Sequence, residues 1–128
     1  MNRVLLYNIQ DADRLAKLRA AALWLGLRPV VVAPEDYGHP LGYLLGAAGY
    51  APAETAEDFA DEMLVMETLS SPLLDALRRE GVVIALKAVV TEQNLGWSSA
   101  ALCHELRREH EAMRAAARKK HPHPHRRR

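Results

Sequence analysis

The chain holds one cysteine, one phenylalanine and only 5% aromatic residues in 128 positions. The lone Cys103 excludes an intrachain disulfide and any multi-cysteine zinc site; with no disulfide to protect, a reducing cytoplasm is the expected compartment. No stretch approaches the roughly 18 uninterrupted apolar residues of a membrane span. The amino-terminal run Val4-Leu5-Leu6-Tyr7 is too short for the apolar core of a signal peptide, so no membrane insertion is expected. Catalytic signatures are missing too. Neither Gly-x-x-x-x-Gly-Lys nor Gly-x-Gly-x-x-Gly occurs, and His104 and His110 are six apart rather than in His-Glu-x-x-His spacing. Cys103, His104 and Glu105 are adjacent on a helix and point in different directions, which is wrong for a nucleophile and its base. The sequence therefore points away from an enzyme, and no cofactor or metal is expected.

What is present is apolar mass and an uneven charge. With 49% hydrophobic residues, 128 positions suffice for one domain and one core. Residues 1–113 carry ten Lys and Arg against sixteen Asp and Glu, a balance of −6, whereas residues 114–128 carry seven cations and no acid. The domain is accordingly set at 1–113, with 114–128 as a basic tail. In that tail His121, His123 and His125 alternate with Pro122 and Pro124, a composition that does not pack, so disorder is expected beyond about residue 119. Arg118, Lys119, Lys120, Arg126, Arg127 and Arg128 offer a contact for a polyanion, RNA or the ribosome among others, because such attraction needs only clustered cations. The alternative is a solvated tail that folds back on the acidic body.

Four short apolar or β-branched runs read as strands, at Val4–Tyr7, Val30–Ala33, Met63–Met66 and Leu86–Thr91. Helices are expected over Asp11–Leu25, with Asp11 capping and Gly26 after the end, and over Ser71–Glu80, with Ser70 or Ser71 capping, Pro72 in the first turn and Gly81 stopping it. A last helix runs from about Ser98 to Lys119 with Leu102, Leu106, His110 and Met113 on one side. Between the halves, Gly38, Gly42, Gly46 and Gly49 thread the apolar run 40–48. A helix opening at Pro40 would set Gly42 and Gly46 one turn apart beside Leu41, Leu44 and Leu45. That face either closes the core or meets a second subunit or a ligand.

The halves look like copies. Val4 and Met63, Leu15 and Leu74, Leu18 and Leu77, and Val30 and Val89 are each 59 residues apart. A duplicated strand-helix-strand unit closes either as an interleaved, ferredoxin-like α+β sheet of order 4-1-3-2 or as an all-parallel α/β sheet of order 2-1-3-4. The interleaved form is the expectation, with the glycine-rich helix, the last helix or a second subunit covering its open face.

Pro-Leu-Gly-Tyr-Leu-Leu-Gly at 40–46, Glu-Met-Leu-Val-Met at 62–66, and Leu-Lys-Ala-Val-Val-Thr-Glu-Gln-Asn at 86–94, followed by Trp97 and residues 105–110, resemble a small bacterial family known only as a domain of unknown function. The resemblance spans roughly residues 1–113 and brings no activity with it. Gln93 stands where relatives often have histidine, which lowers any metal reading of that turn.

The remaining polar candidates sit at strand exits: Asn8, then Glu35 and Asp36, then Glu67 and Thr68, then Thr91, Glu92 and Asn94. In an all-parallel sheet they would converge on one edge as a ligand site, and in the interleaved sheet they split into two separate groups; the bland reading in either is that they serve turns and helix caps. The composite expectation is a cytoplasmic binding or regulatory module, working as a homodimer through protein or small-ligand contacts. The alternative is an RNA- or ribosome-associated protein held by its tail.

Overall fold

In the computed structural model, which describes residues 2–120, two β-α-β units lie side by side in one sheet. The first comprises β1 (Arg3–Tyr7), α1 (Ala12–Trp24) and β2 (Arg28–Val31); the second comprises β3 (Met63–Met66), α3 (Ser71–Arg79) and β4 (Leu86–Val89). Between them run a 3-10 turn at Pro34–Asp36 and the one-turn helix α2 (Leu41–Leu44), and the chain closes with α4 (Ser99–Lys120). The helix signals act as the sequence leads one to expect. Asp11 accepts from the amides of Asp13 and Arg14 at 2.9 and 3.3 Å, and Ser70 accepts from Leu73 N at 3.2 Å. Gly26 and Gly81 follow the helix ends at φ +78° and +72°, where a side chain would be strained.

The strands lie in the order β2-β1-β3-β4, with β1 parallel to β2, β3 parallel to β4, and β1 antiparallel to β3. The interleaved ferredoxin-like order 4-1-3-2 is corrected by this pairing; the order is the 2-1-3-4 of the alternative, but the sheet is not all-parallel, because β1 and β3 run antiparallel. Interleaving needs a tight β2–β3 hairpin, whereas here residues 32–62 make a long excursion that frees β3 from β2. The excursion returns to the edge where β1 ended, with Tyr7 opposite Met63, so β3 starts there and runs back against β1.

The 59-residue copy shows in the central pair, which is self-consistent under exchange: Val4 faces Met66 as Met63 faces Tyr7. The outer pairs break it. Val4 faces Pro29, but Met63 faces Leu86, two residues short of the 59-residue offset, so Val30 and Val89 are not counterparts. The helices differ as well, thirteen residues in α1 against nine in α3. Two strands also shift their bounds. β2 begins at Arg28, whose amide reaches Asn2 O at 2.9 Å, and stops before the Pro34 turn; β4 stops at Val89, where Asn94 Nδ2 takes the carbonyl at 3.1 Å.

Every residue of Val4–Tyr7 and Met63–Met66 is at most 2% exposed, as continuous apolarity requires of strands covered on both faces. Val4, Leu6, Leu64 and Met66 pack under α1 and α3 with Leu18, Leu73 and Leu77. Leu5, Tyr7, Met63 and Val65 pack on the opposite face with Leu41, Leu45, Leu102 and Cys103. The face that an open sheet would leave bare is thus covered by α2 and α4 from the same chain. The edges are guarded by Pro29, which has no amide to offer, and by exposed Lys87.

Candidate functional site

The glycine-rich segment spends its apolar face inside the molecule. Leu41 and Leu45 are buried and Leu44 packs against the same cluster. Gly42 alone of the two glycines lies in α2; Gly46 follows the helix at φ +72° with open space around it, so the expected two-glycine face does not form. The close approach at Gly42 is made by the chain's own Tyr50, whose ring comes within 3.0 Å of where a Cβ would stand. The contact that the sequence reading offered to a second subunit is therefore intramolecular.

Because β1 and β3 run in opposite directions, the strand-exit residues fall into two groups at opposite edges of the sheet. At the first edge Asn8 sits at φ +60° and holds the long connection: its Nδ2 donates to Phe59 O at 2.9 Å and Asp61 O at 3.0 Å, while its Oδ1 accepts from Tyr37 Oη at 3.0 Å. Asp36 lies 3.5 Å from His39 Nε2, and Glu35 is exposed. At the second edge Glu67 accepts from Arg3 N at 2.9 Å, and the Thr68 hydroxyl donates to Asn2 Oδ1 at 3.2 Å. Thr91 and Asn94 exchange side-chain-to-amide bonds at 2.8 and 3.1 Å, and Glu92 points to solvent. These contacts are the turn and cap chemistry of short polar side chains. The groups do not converge.

A third polar cluster escaped the sequence reading. Tyr7 Oη and Ser99 Oγ hydrogen-bond at 2.7 Å in the core, where the rings of Tyr37 and Phe59 stack at 4.5 Å and that of Tyr7 lies tilted against both at 5.3 and 5.6 Å. Burial raises both tyrosine pKa values above the usual phenol range. Nearby, Arg107 grips Asp61 through Nη2 at 2.5 Å and Nε at 3.3 Å, which holds the carboxyl below its ordinary range. Cys103 lies beneath this pair, 3.8 Å from Arg107, and burial pushes its thiol up to about 11. Such a thiol is a poor nucleophile, and each polar group here has a partner. No signal in the sequence links Arg107 to Asp61 across 46 residues.

Large apolar side chains are left exposed at several places, among them the end of α1. Trp24 is 88% exposed and Leu23 62%, with Leu25 beside them. Trp24 borders a groove of about 630 Å³ between α1 and α3, whose other walls include Ala20, Pro72 and Ala76 and whose rim carries Lys17, Asp75, Arg79 and Glu80. Leu23 and Trp24 lie in the last turn of α1, the part by which that helix is longer than α3.

The carboxy-terminal cations divide. Arg114, Arg118 and Lys119 are exposed on α4, which runs on to Lys120; Arg126, Arg127, Arg128 and the expected disorder beyond residue 119 lie outside the described residues. Among the described residues no cluster of His, Cys, Asp and Glu could hold a metal ion, and no helix is long and apolar enough to cross a membrane.

Residues 63–113 match the family model for a domain of unknown function, DUF3783. The DUF3783 match begins with β3 and takes in α3, β4 and α4 as far as Met113. It holds the Thr91–Asn94 turn, Trp97 and the Arg107 and Cys103 side of the buried cluster. The wider resemblance to 1–113 narrows to this unit: β1, α1, α2 and the exposed Trp24 lie outside the DUF3783 stretch. No curated protein and no solved structure matches the chain.

Proposed function

We propose that the protein is a binding module that pairs with a second copy of itself through the α1–α3 face. The observation that carries this reading is Trp24, 88% exposed on the rim of an apolar groove that lies against its own helix. A tryptophan left in water forgoes about 2 kcal/mol or more of burial, and tryptophan is the side chain most often found as an interface anchor. A two-fold pairing suits the groove, because the same patch must serve both copies. Its rim bears cations, Lys17 and Arg79, and anions, Asp75 and Glu80. A copy turned about a two-fold axis can set each sign on its opposite, whereas a ligand of one sign meets repulsion on half of the rim.

Exposed apolar surface favours pairing through the end of α1 rather than through Leu41 to Leu45, which the chain buries itself. Fluorescence tests the pairing. In Trp97→Phe, Trp24 is the sole tryptophan, and its emission should move to shorter wavelength as concentration rises from nanomolar to high micromolar. Emission that stays that of a water-exposed indole across the range would reject the reading.

A further inference from the structure

From the projecting end of α4 we infer a second binding surface: Arg114, Arg118 and Lys119 hold the phosphodiester backbone of a single-stranded nucleic acid. At about 1.5 Å per residue the 22 residues of α4 extend for about 33 Å, while the four- and five-residue strands beneath it span at most about 17 Å. The helix outruns the sheet. Its burial pattern marks where this happens: Leu102 and Cys103 are buried and Leu106 and His110 half-buried, but Met113 on the same side is 73% exposed, and of residues 111–119 only Ala115 is less than exposed.

This projection is a separate electrostatic object. The acids of α4, Glu105, Glu109 and Glu111, all precede residue 112, and after Glu111 no acid follows in the chain. The ion pairs among the described residues engage Arg107 with Asp61 and Arg108 with Glu105 but none of Arg114, Arg118 and Lys119. Four alanines between residues 112 and 117 keep this stretch helical without adding bulk, and cations at a helix carboxy-terminus are favoured by its dipole.

The spacing selects the occupant. At about 100° per residue, Arg114 and Arg118 stand about 40° apart and Lys119 about 100° further round. A flexible strand can follow cations placed over that arc. A membrane surface reaches one face only, and the opposite side has Met113 as its single large apolar anchor. The acidic body, with its balance of −6 over residues 1–113, repels a polyanion elsewhere and confines it to this end.

The test is anisotropy of a labelled twenty-nucleotide oligouridylate against the full chain and against the triple variant Arg114→Gln, Arg118→Gln, Lys119→Gln. Each phosphate contact to a single strand contributes about −0.7 to the salt slope, so three contacts make the variant's slope shallower by about 2. Between 50 and 200 mM KCl the intact chain then loses roughly 20-fold more affinity than the variant. Arg19→Gln with Arg28→Gln, exposed cations on α1 and β2 away from both proposed surfaces, should leave the slope unchanged. Equal slopes for intact chain and triple variant would overturn the inference, as would absence of binding at 50 mM KCl. Tighter binding to a duplex of twenty base pairs, or to phosphatidylglycerol vesicles, would reject the single strand as occupant.

Discussion

Replacing Asn8 tests how the long connection between the two halves is held. One side chain satisfies Phe59 O, Asp61 O and Tyr37 Oη at 2.9 to 3.0 Å, from a backbone at φ +60°. Each such bond contributes about 1 kcal/mol net, and the partners left behind are costly because Phe59 and Tyr37 are buried. Asn8→Gly keeps the left-handed backbone at no steric cost and loses the three bonds, so it should destabilise by about 2 to 4 kcal/mol. Asn8→Ala loses the same bonds and adds a Cβ in the left-handed region, a further 1 kcal/mol or so. Urea denaturation followed by far-ultraviolet circular dichroism reads both, with the order wild type, Gly, Ala. If both variants unfold within about 0.5 kcal/mol of wild type, the bonds do not hold the connection. If Ala equals Gly, residue 8 is not left-handed in solution.

Three further outcomes follow from the packing and the titrating groups. Gly42→Ala drives a Cβ into the Tyr50 ring and should cost about 1 to 3 kcal/mol in urea denaturation, recovered in part by Tyr50→Ala; the concentration dependence of Trp24 emission should not change, since this contact is internal. The Asp61 carboxyl is held below its ordinary pKa of about 4 by Arg107, so its contribution is complete above that value and is lost as pH falls through the depressed one. Asp61→Asn should accordingly flatten the acid limb of a stability-against-pH curve; an unchanged limb refutes the pair. Cys103, buried and with its thiol near 11, should react with an aromatic disulfide reagent at pH 8 only as the chain unfolds, and prompt stoichiometric labelling of native protein would contradict its placement.

The elements were legible because their signals are local. Asp11 with Gly26, and Ser70 and Pro72 with Gly81, bracket helices by hydrogen-bonding chemistry that acts within a few residues, and the unbroken runs Val4–Tyr7 and Met63–Met66 declare strands covered on both faces. The order 2-1-3-4 was legible only as the second of two closures, and its antiparallel central pair was not, since that turns on where residues 32–62 re-enter the sheet, a connection that Asn8 holds at Phe59 and Asp61 across more than fifty positions. The same limit hid the Tyr7–Ser99 bond and the Arg107–Asp61 pair. The glycines misled for another reason: spacing shows that a small residue permits close approach, but not whether Tyr50 or a second subunit makes it. The apolar run 40–48 did not show from spacing alone which surface it would meet. Leu41 and Leu45 are consumed by the sheet face that α2 and α4 cover, whereas Leu23 and Trp24 ride on the part of α1 that its shorter counterpart α3 lacks.

Sedimentation equilibrium on the intact chain and on Trp24→Ser tests the central claim most directly. A chain of 14.3 kDa that pairs through the α1–α3 face should approach twice that mass at tens of micromolar, and Trp24→Ser should sediment as a single chain at the same concentrations with unaltered circular dichroism. A wild-type mass of one chain throughout, or a dimer indifferent to the loss of Trp24, would contradict the account.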